Sequence, residues 1–373
     1  MFKRLLALYI AGLILLCGCA MGPPKPQEIH FFAMDTFVTI TAYGNGAQKA
    51  MAAAQREILR IEAIFDPENR DGELFALNKA TKHADSADTL GHAMSADFER
   101  VYAYAKRVYS ESGGALDPTI FPVVKVWGFI DGNGKVPNNE ALSEAMGNVD
   151  FSRIISGNEQ SIESDADPPD TLPTYDSTLY VPGGMELLFG AVAKGYAAFA
   201  AANVMRELGI GNALLNLGGD IQTLGLQPDG SKWKIGLQDP NQPTGIPLGI
   251  LYLDDAAAVT SGDYERFFVE NGVTYHHILD PKTGYPSVSG LRSVTVVTRN
   301  GAMADALSTA LFVLGEEGAL NFLADRRNTS PLADEIGLVL ITDDGRVIVT
   351  AALHDDFEEI NEDYEYIYYK EDA

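Results

Sequence analysis

Cysteine is nearly missing from this chain. Of 373 residues only Cys17 and Cys19 are cysteines, and both lie near the start. The body of the chain therefore excludes a disulfide framework, a cysteine-held zinc site and a cysteine nucleophile. Positive charge is also scarce, with 27 Lys and Arg against 52 Asp and Glu and a net charge of −25. Such a surface repels the phosphates of nucleic acid. An anionic ligand has to be held locally instead, by backbone N–H groups, a lysine or a metal. Long apolar runs are absent except for Leu5 to Leu16, which is shorter than the roughly 20 residues of a bilayer-spanning helix. No internal repeat is visible, and no serine sits in a nucleophile elbow.

That short apolar run follows Lys3 and Arg4 and precedes Leu16-Cys17-Gly18-Cys19, the form of an export signal. The small residue before Cys19 resembles the bacterial lipobox, whose cysteine is lipidated and becomes the new N-terminus. A plain secretory leader or an uncleaved anchor is the alternative. On the lipobox reading, residues 1–18 are a leader and 19–29 a tether stiffened by Pro23, Pro24 and Pro26. Residues 30–354 form the body. Residues 355–373 form an acidic, solvated end carrying Tyr364, Tyr366, Tyr368 and Tyr369. The protein is then extracytoplasmic, held on a bacterial membrane by lipid.

The body is rich enough in apolar residues, at 46% of the chain, to bury a sizeable core. Alternation predicts one strand from His30 to Tyr43, and an apolar stripe of Ala54, Ile58, Ile61 and Phe65 predicts a helix over 47–65. Further helices are expected over 95–112, from about Ala191 to Gly209, and from Ala302 to a stop at Gly315. Strands are expected at 213–217 and 291–298, and hairpins around Asn271-Gly272 and Asp343-Asp344-Gly345. Residues 161–173, acidic and proline-rich, predict a surface loop. Strands and helices mixed without strict alternation indicate an α/β fold of α+β character.

Six short segments could carry chemistry. On the nearly all-apolar helix over 302–314, Asp305 and Thr309 share one face. Two oxygen ligands there suit Mg²⁺, although a buried aspartate bonded to backbone amides explains Asp305 equally simply. Gly190 to Tyr196 opens a helix, where free N–H groups and Lys194 favour an anion; close packing of small residues is the other reading. Asn216 to Asp220 holds a glycine pair after a strand, suited to a ligand or to a tight turn. Thr260 to Arg266 is a polar run after an apolar one. His276 and His277 are adjacent on a strand, so they face opposite sides. Gly113 to Thr119 reads alone as a helix end and turn.

Taken together and in this order, with Met34-Asp35-Thr36 and Trp233-Lys234-Ile235-Gly236, these segments resemble the ApbE family of FAD:protein FMN transferases. The likeness runs from about Phe31 to Gly315. It implies a two-lobed fold with the flavin site between the lobes, and Mg²⁺-dependent transfer of FMN from FAD to a threonine or serine of another protein, releasing AMP. The acceptor implied is an extracytoplasmic loop of a membrane redox protein. By resemblance, Asp305, Thr309 and the carbonyl of Ala191 hold Mg²⁺. Met34, Phe75, Ala115, Leu116, Asp117, Lys194 and Ile278 contact FAD. His277 matches the family histidine near the reacting end, and His277 or Asp263 would handle the acceptor proton beside Lys194. Leu188 departs from the family, which usually has aspartate there. A water-using FAD pyrophosphatase and a non-catalytic flavin-binding or solute-binding lipoprotein remain as alternatives.

The anchoring expectation has a direct check. Cys19→Ala should move the protein from the membrane fraction to the soluble fraction; persistence through an alkaline wash would sink the lipoprotein reading.

Overall fold

The computed structural model describes residues 25–157, 178–329 and 336–370. The leader, Cys19 and the expected loop over 161–173 lie outside the described residues.

In chain order the elements begin with strands β1 (Gln27–Ala33) and β2 (Thr36–Ala42) and helices α1 (Ala47–Phe65) and α2 (Glu73–Lys82). Next come β3 (Thr89–Ala93), α3 (Ala96–Glu111), α4 (Phe121–Val126), α5 (Asn139–Met146), β4 (Ile155–Ser156) and β5 (Thr178–Pro182). Helix α6 (Ala193–Glu207) leads into β6 (Ala213–Leu217), β7 (Asp220–Leu224), β8 (Trp233–Gln238), β9 (Pro247–Leu253) and β10 (Ala257–Gly262). The hairpin β11 (Phe267–Glu270) and β12 (Val273–His276) precedes β13 (Leu291–Thr298) and α7 (Gly301–Thr329). The chain finishes with β14 (Gly337–Thr342), β15 (Arg346–Thr350), β16 (Phe357–Glu359) and β17 (Glu365–Tyr369).

One nine-stranded sheet, ordered β1-β2-β6-β7-β10-β13-β14-β15-β17, organises the body. Its central strands are buried on both faces, and alternation sends successive side chains to different cores. In β14, Leu338 and Leu340 join the main core under the helices, whereas Val339 and Ile341 join a second core. That second core also takes Trp233, Leu251 and Phe357 from the small sheet β16-β9-β8. The result is three layers: helices, large sheet, small sheet. A third, separate cluster gathers Val123, Trp127, Leu142 and Leu279 around α4 and α5.

The mixed α/β expectation holds, with four differences in detail. The expected single strand over 30–43 is a hairpin. Its turn is Met34-Asp35, with φ of 54° and 56°, a left-handed pair adopted without the usual Asn-Gly signal. The expected helix stop falls at Gly315, whose φ of 75° and ψ of −178° are non-helical, but a second helix follows it directly. Helix α2 carries no periodicity strong enough to have been predicted.

The fourth difference is the acidic end, which is packed rather than solvated. β17 pairs parallel with β15, and β16 pairs with β9. Tyr366 donates its hydroxyl to Leu248 O at 2.8 Å, and Tyr364 donates to the buried Asp239 at 2.6 Å. The acidic residues point the reading to solvent, but each tyrosine adds apolar area with a hydroxyl that finds a partner. Deleting residues 356–370 should therefore lower the thermal midpoint by roughly 10 °C or more, since Phe357, Tyr366 and Ile367 each contribute burial. An unchanged midpoint by calorimetry would return this segment to the status of a loose tail.

Candidate active site

A cavity of about 410 Å³ opens where the third cluster meets the main body. Ile120, Val124, Phe129, Ile130 and Leu279 line one side, and Ala115, Leu116 and Ile278 the other. The polar floor comes from four places: the start of α6, the start of β7, the first turns of α7, and the end of β10 with the segment after it.

The floor depends on how α6 crosses α7. A Cβ on Gly195 would lie 2.1 Å from Gly301 O and 2.6 Å from Asp305 Cβ, and a Cβ on Gly301 would lie 2.7 Å from Gly195 O. Only paired glycines permit this approach. It brings Gly195 N–H to donate to Asp305 Oδ2 at 2.8 Å. No side chain caps α6; Val192 and Ala193 N–H donate to Phe189 O and Gly195 N–H to Asp305, so the helix lends the cavity the partial positive charge of its N-terminus beside Asp305.

Lys194 Nζ lies 3.3 Å from Oδ2 of the buried Asp220. Burial opposes its charge, but Asp220, Asp305 and Glu265 together hold the ammonium above its ordinary value. The carboxylates are raised as well, which for them disfavours the charged form. Burial, then Asp220, pushes Asp305 up to about 8, despite Lys194. Burial raises Glu265 to about 7, with Lys194 opposing. Burial also raises Asp220. Three acids thus share one ammonium, an arrangement that a divalent cation would relieve.

Among the described residues no cluster of three or more His, Cys, Asp and Glu could hold a metal alone. A metal here would need oxygens from other sources. Thr309 Oγ1 is 3.2 Å from Ser261 Oγ, which is 2.8 Å from Ser308 Oγ. The donor set is all oxygen, which suits Mg²⁺ with water and phosphate completing its shell.

His277 follows β12 directly. Its Nδ1 lies 3.2 Å from Arg266 O. A carbonyl can only accept, so the proton sits on Nδ1 and Nε2 keeps its lone pair. Burial and the Arg266 guanidinium lower this imidazole to about 3, leaving it neutral at ordinary pH. His276 faces the other way, its Nε2 donating to Ser287 O at 3.0 Å.

Of the residues singled out from sequence, Met34, Ala115, Leu116, Asp117, Ala191, Lys194, His277, Ile278, Asp305 and Thr309 line this one cavity. Asp117 contributes shape more than charge, because its oxygens accept from Thr119 and Phe151. Leu188 lines the wall as an apolar group. Two expected residues stand elsewhere. Phe75, on α2, is not among the lining residues, and Asp263 is held by Arg292 at 2.7 Å outside the cavity.

The sequence reading missed Asp220 and Glu265 as site residues, although both lie inside motifs it had marked. Glu62 gave no signal. It lines the cavity and accepts the Met34 N–H at 2.6 Å, holding the left-handed turn in place.

The model of the ApbE family matches residues 34–332. An FAD:protein FMN transferase of Treponema pallidum is 31% identical over 328 residues, covering 83% of this chain and 86% of its own. One of Haemophilus influenzae is 32% identical over 308 residues, covering 79% and 82%. Among solved structures, the ApbE protein of Thermotoga maritima superposes with a TM-score of 0.73 at 27% identity, over 87% of this chain and 96% of that one. The flavin transferase ApbE of Vibrio cholerae gives 0.71 at 25% identity, over 90% and 100%.

The raised acids make a pH prediction. A carboxyl whose folded value exceeds its unfolded value binds more protons in the folded state, so stability falls as pH rises between the two. For Asp305 that window runs from 3.8 to about 8. In EDTA the thermal midpoint should decline across the upper part of this range, and MgCl₂ should recover much of the loss. Asp305→Asn, similar in size but uncharged, should flatten the decline. Equal slopes for the variant and the parent would show that Asp305 is not the strained group.

Proposed function

The chain belongs to the ApbE family, and on the strength of that membership and this cavity we propose that it transfers FMN from FAD to a threonine or serine hydroxyl of a target protein with the help of Mg²⁺. Transfer of FMN from FAD to protein is the activity its relatives are named for. The observation that carries the chemistry is the convergence of Lys194, the uncapped α6 N-terminus, Asp305 and the lone pair of His277 on one cavity.

Asp305, Thr309 and the carbonyl of Ala191 would hold the Mg²⁺. A buried carboxylate that accepts one N–H has lone pairs to spare. When bound, the ion would neutralise charge on the pyrophosphate. The remaining work belongs to the chain. Lys194, with the positive end of α6 behind it, binds phosphate oxygens and stabilises charge as it develops. His277 Nε2 takes the proton of the acceptor hydroxyl as its oxygen bonds to the FMN phosphorus. The bond from that phosphorus to the bridging oxygen breaks, and AMP leaves with the electron pair. Neutral His277 keeps the lone pair this needs, and the negative charge of a bound pyrophosphate would raise its low proton affinity. Asp263, tied to Arg292, is the weaker candidate for that proton.

The cavity's apolar walls suit the flavin ring, with Met34, Ala115, Leu116 and Ile278 against it. We place the enzyme outside the cytoplasm, anchored through Cys19, where the acceptor is an exposed loop of a membrane redox protein. The motif around Cys19 supports this placement. Among the described residues no helix is long and apolar enough to cross a membrane.

With FAD, MgCl₂ and the purified extracytoplasmic domain of such a redox protein, FMN should become covalently attached and AMP should appear in equal amount. In-gel flavin fluorescence and nucleotide chromatography measure the two. His277→Ala and Lys194→Ala should each slow labelling by about a hundredfold or more. Formation of AMP and free FMN with no labelled protein would make the enzyme a pyrophosphatase instead.

A further inference from the structure

The acceptor of this reaction is itself a protein, so part of the surface around the cavity must receive polypeptide. We propose that the outer face of the β11–β12 hairpin is that docking surface, gripping apolar residues that flank the acceptor hydroxyl; this rests on the transferase reading above.

The hairpin stands apart from the nine-stranded sheet as a sheet of two strands. The residues at its two ends, Arg266 and His277, line the cavity. An acceptor hydroxyl that reaches His277 Nε2 therefore brings its neighbours against this hairpin.

Cross-strand pairing sorts its side chains. Phe267 is opposite His276 and Val269 opposite Thr274, so these four share one face. Phe267 is 52% exposed and Val269 60%. His276 bonds Ser287 O, and the next residue, Val288, is fully exposed at 100%. Phe267 and Val269 thus form an exposed apolar strip that starts beside the cavity, and the exposed Val288 follows the residue that His276 bonds.

The other face anchors the hairpin. Phe268 and Tyr275 stack at 5.4 Å and pack on Trp127 and Phe129. Glu270, at the far end of β11, accepts the Val136 N–H at 2.8 Å. An exposed apolar strip on a fixed support is preorganised for a partner, so little ordering cost falls on binding. A second exposed aromatic pair, Phe32 and Phe37, lies beside the Met34-Asp35 turn. That side of the cavity serves the flavin, whereas the hairpin side carries the histidine that must meet the acceptor.

The test compares the full-length enzyme, its Phe267→Ser/Val269→Ser variant and a Phe32→Ser/Phe37→Ser control. The probe is a soluble extracytoplasmic redox domain that the parent enzyme labels, assayed without membranes or vesicles. The hairpin variant should raise KM for that domain by about five-fold or more, as expected when interface anchors are lost. Its kcat for that domain should stay near the parent value, and the control should match the parent throughout. An unchanged KM in the hairpin variant overturns the proposal, including when labelling differs only on vesicles, which would mark the strip as a lipid contact. A larger KM change in the control overturns it as well. Failure of the parent enzyme to label any protein would overturn the transferase reading, a result separate from either of these.

Discussion

The site exists because two helices approach until their backbones touch. At the crossing of α6 and α7, Gly195 and Gly301 leave no room for even one methyl group. That approach lets Asp305 accept an N–H from the opposite helix. It also directs Lys194 and the open end of α6 into the same space as the first turns of α7. With a wider crossing, Asp305 would be a buried charge with no partner. The large sheet and the helical core serve mainly to hold this crossing still.

The chemistry of the cavity answers a problem set by composition. A protein with a net charge of −25 does not attract a pyrophosphate through its overall field. The cavity does not reverse this by becoming basic, because Asp220, Glu265 and Asp305 outnumber Lys194. Charge is organised in depth instead. On the proposed function, one ammonium and a helix terminus would act directly, and the three acids would favour a dication. An acidic site that recruits its positive charge stays poorly disposed to bare phosphates when the cation is missing.

Much of this was legible in sequence, and the rest was hidden for physical reasons. Helix α1, the helix over 95–112 and the strand at 213–217 follow from periodicity and end signals, which are local. Asp305 stood out because a carboxylate on an all-apolar helix needs an explanation. Lys194 and His277 became persuasive only as members of an ordered set. Glu62 could not have been found, since its role depends on a turn of Met34-Asp35 whose φ values no propensity favours. Phe75 falls outside the cavity lining, since resemblance locates a residue in sequence but not the face of α2 it occupies. The acidic end misled because composition averages away the alternation of Tyr364, Tyr366 and Tyr368, and a strand needs only alternation and a free edge to join.

The adjacent histidines add something that concerns heredity more than chemistry. His276 carries its proton on Nε2 and His277 on Nδ1, because each faces a different carbonyl. Strand alternation decides which imidazole faces the cavity, and the left-handed turn at Asn271-Gly272 sets the phase of that alternation. Loss or gain of one residue in the hairpin would shift that phase, so that His276 or Ile278 takes the place of His277 and Tyr275 leaves its seat on Trp127. No residue type in the active site would have changed. The turn at the far end of the hairpin thus acts as a reading frame for the site, and single-residue insertions there are a hidden class of inactivating change.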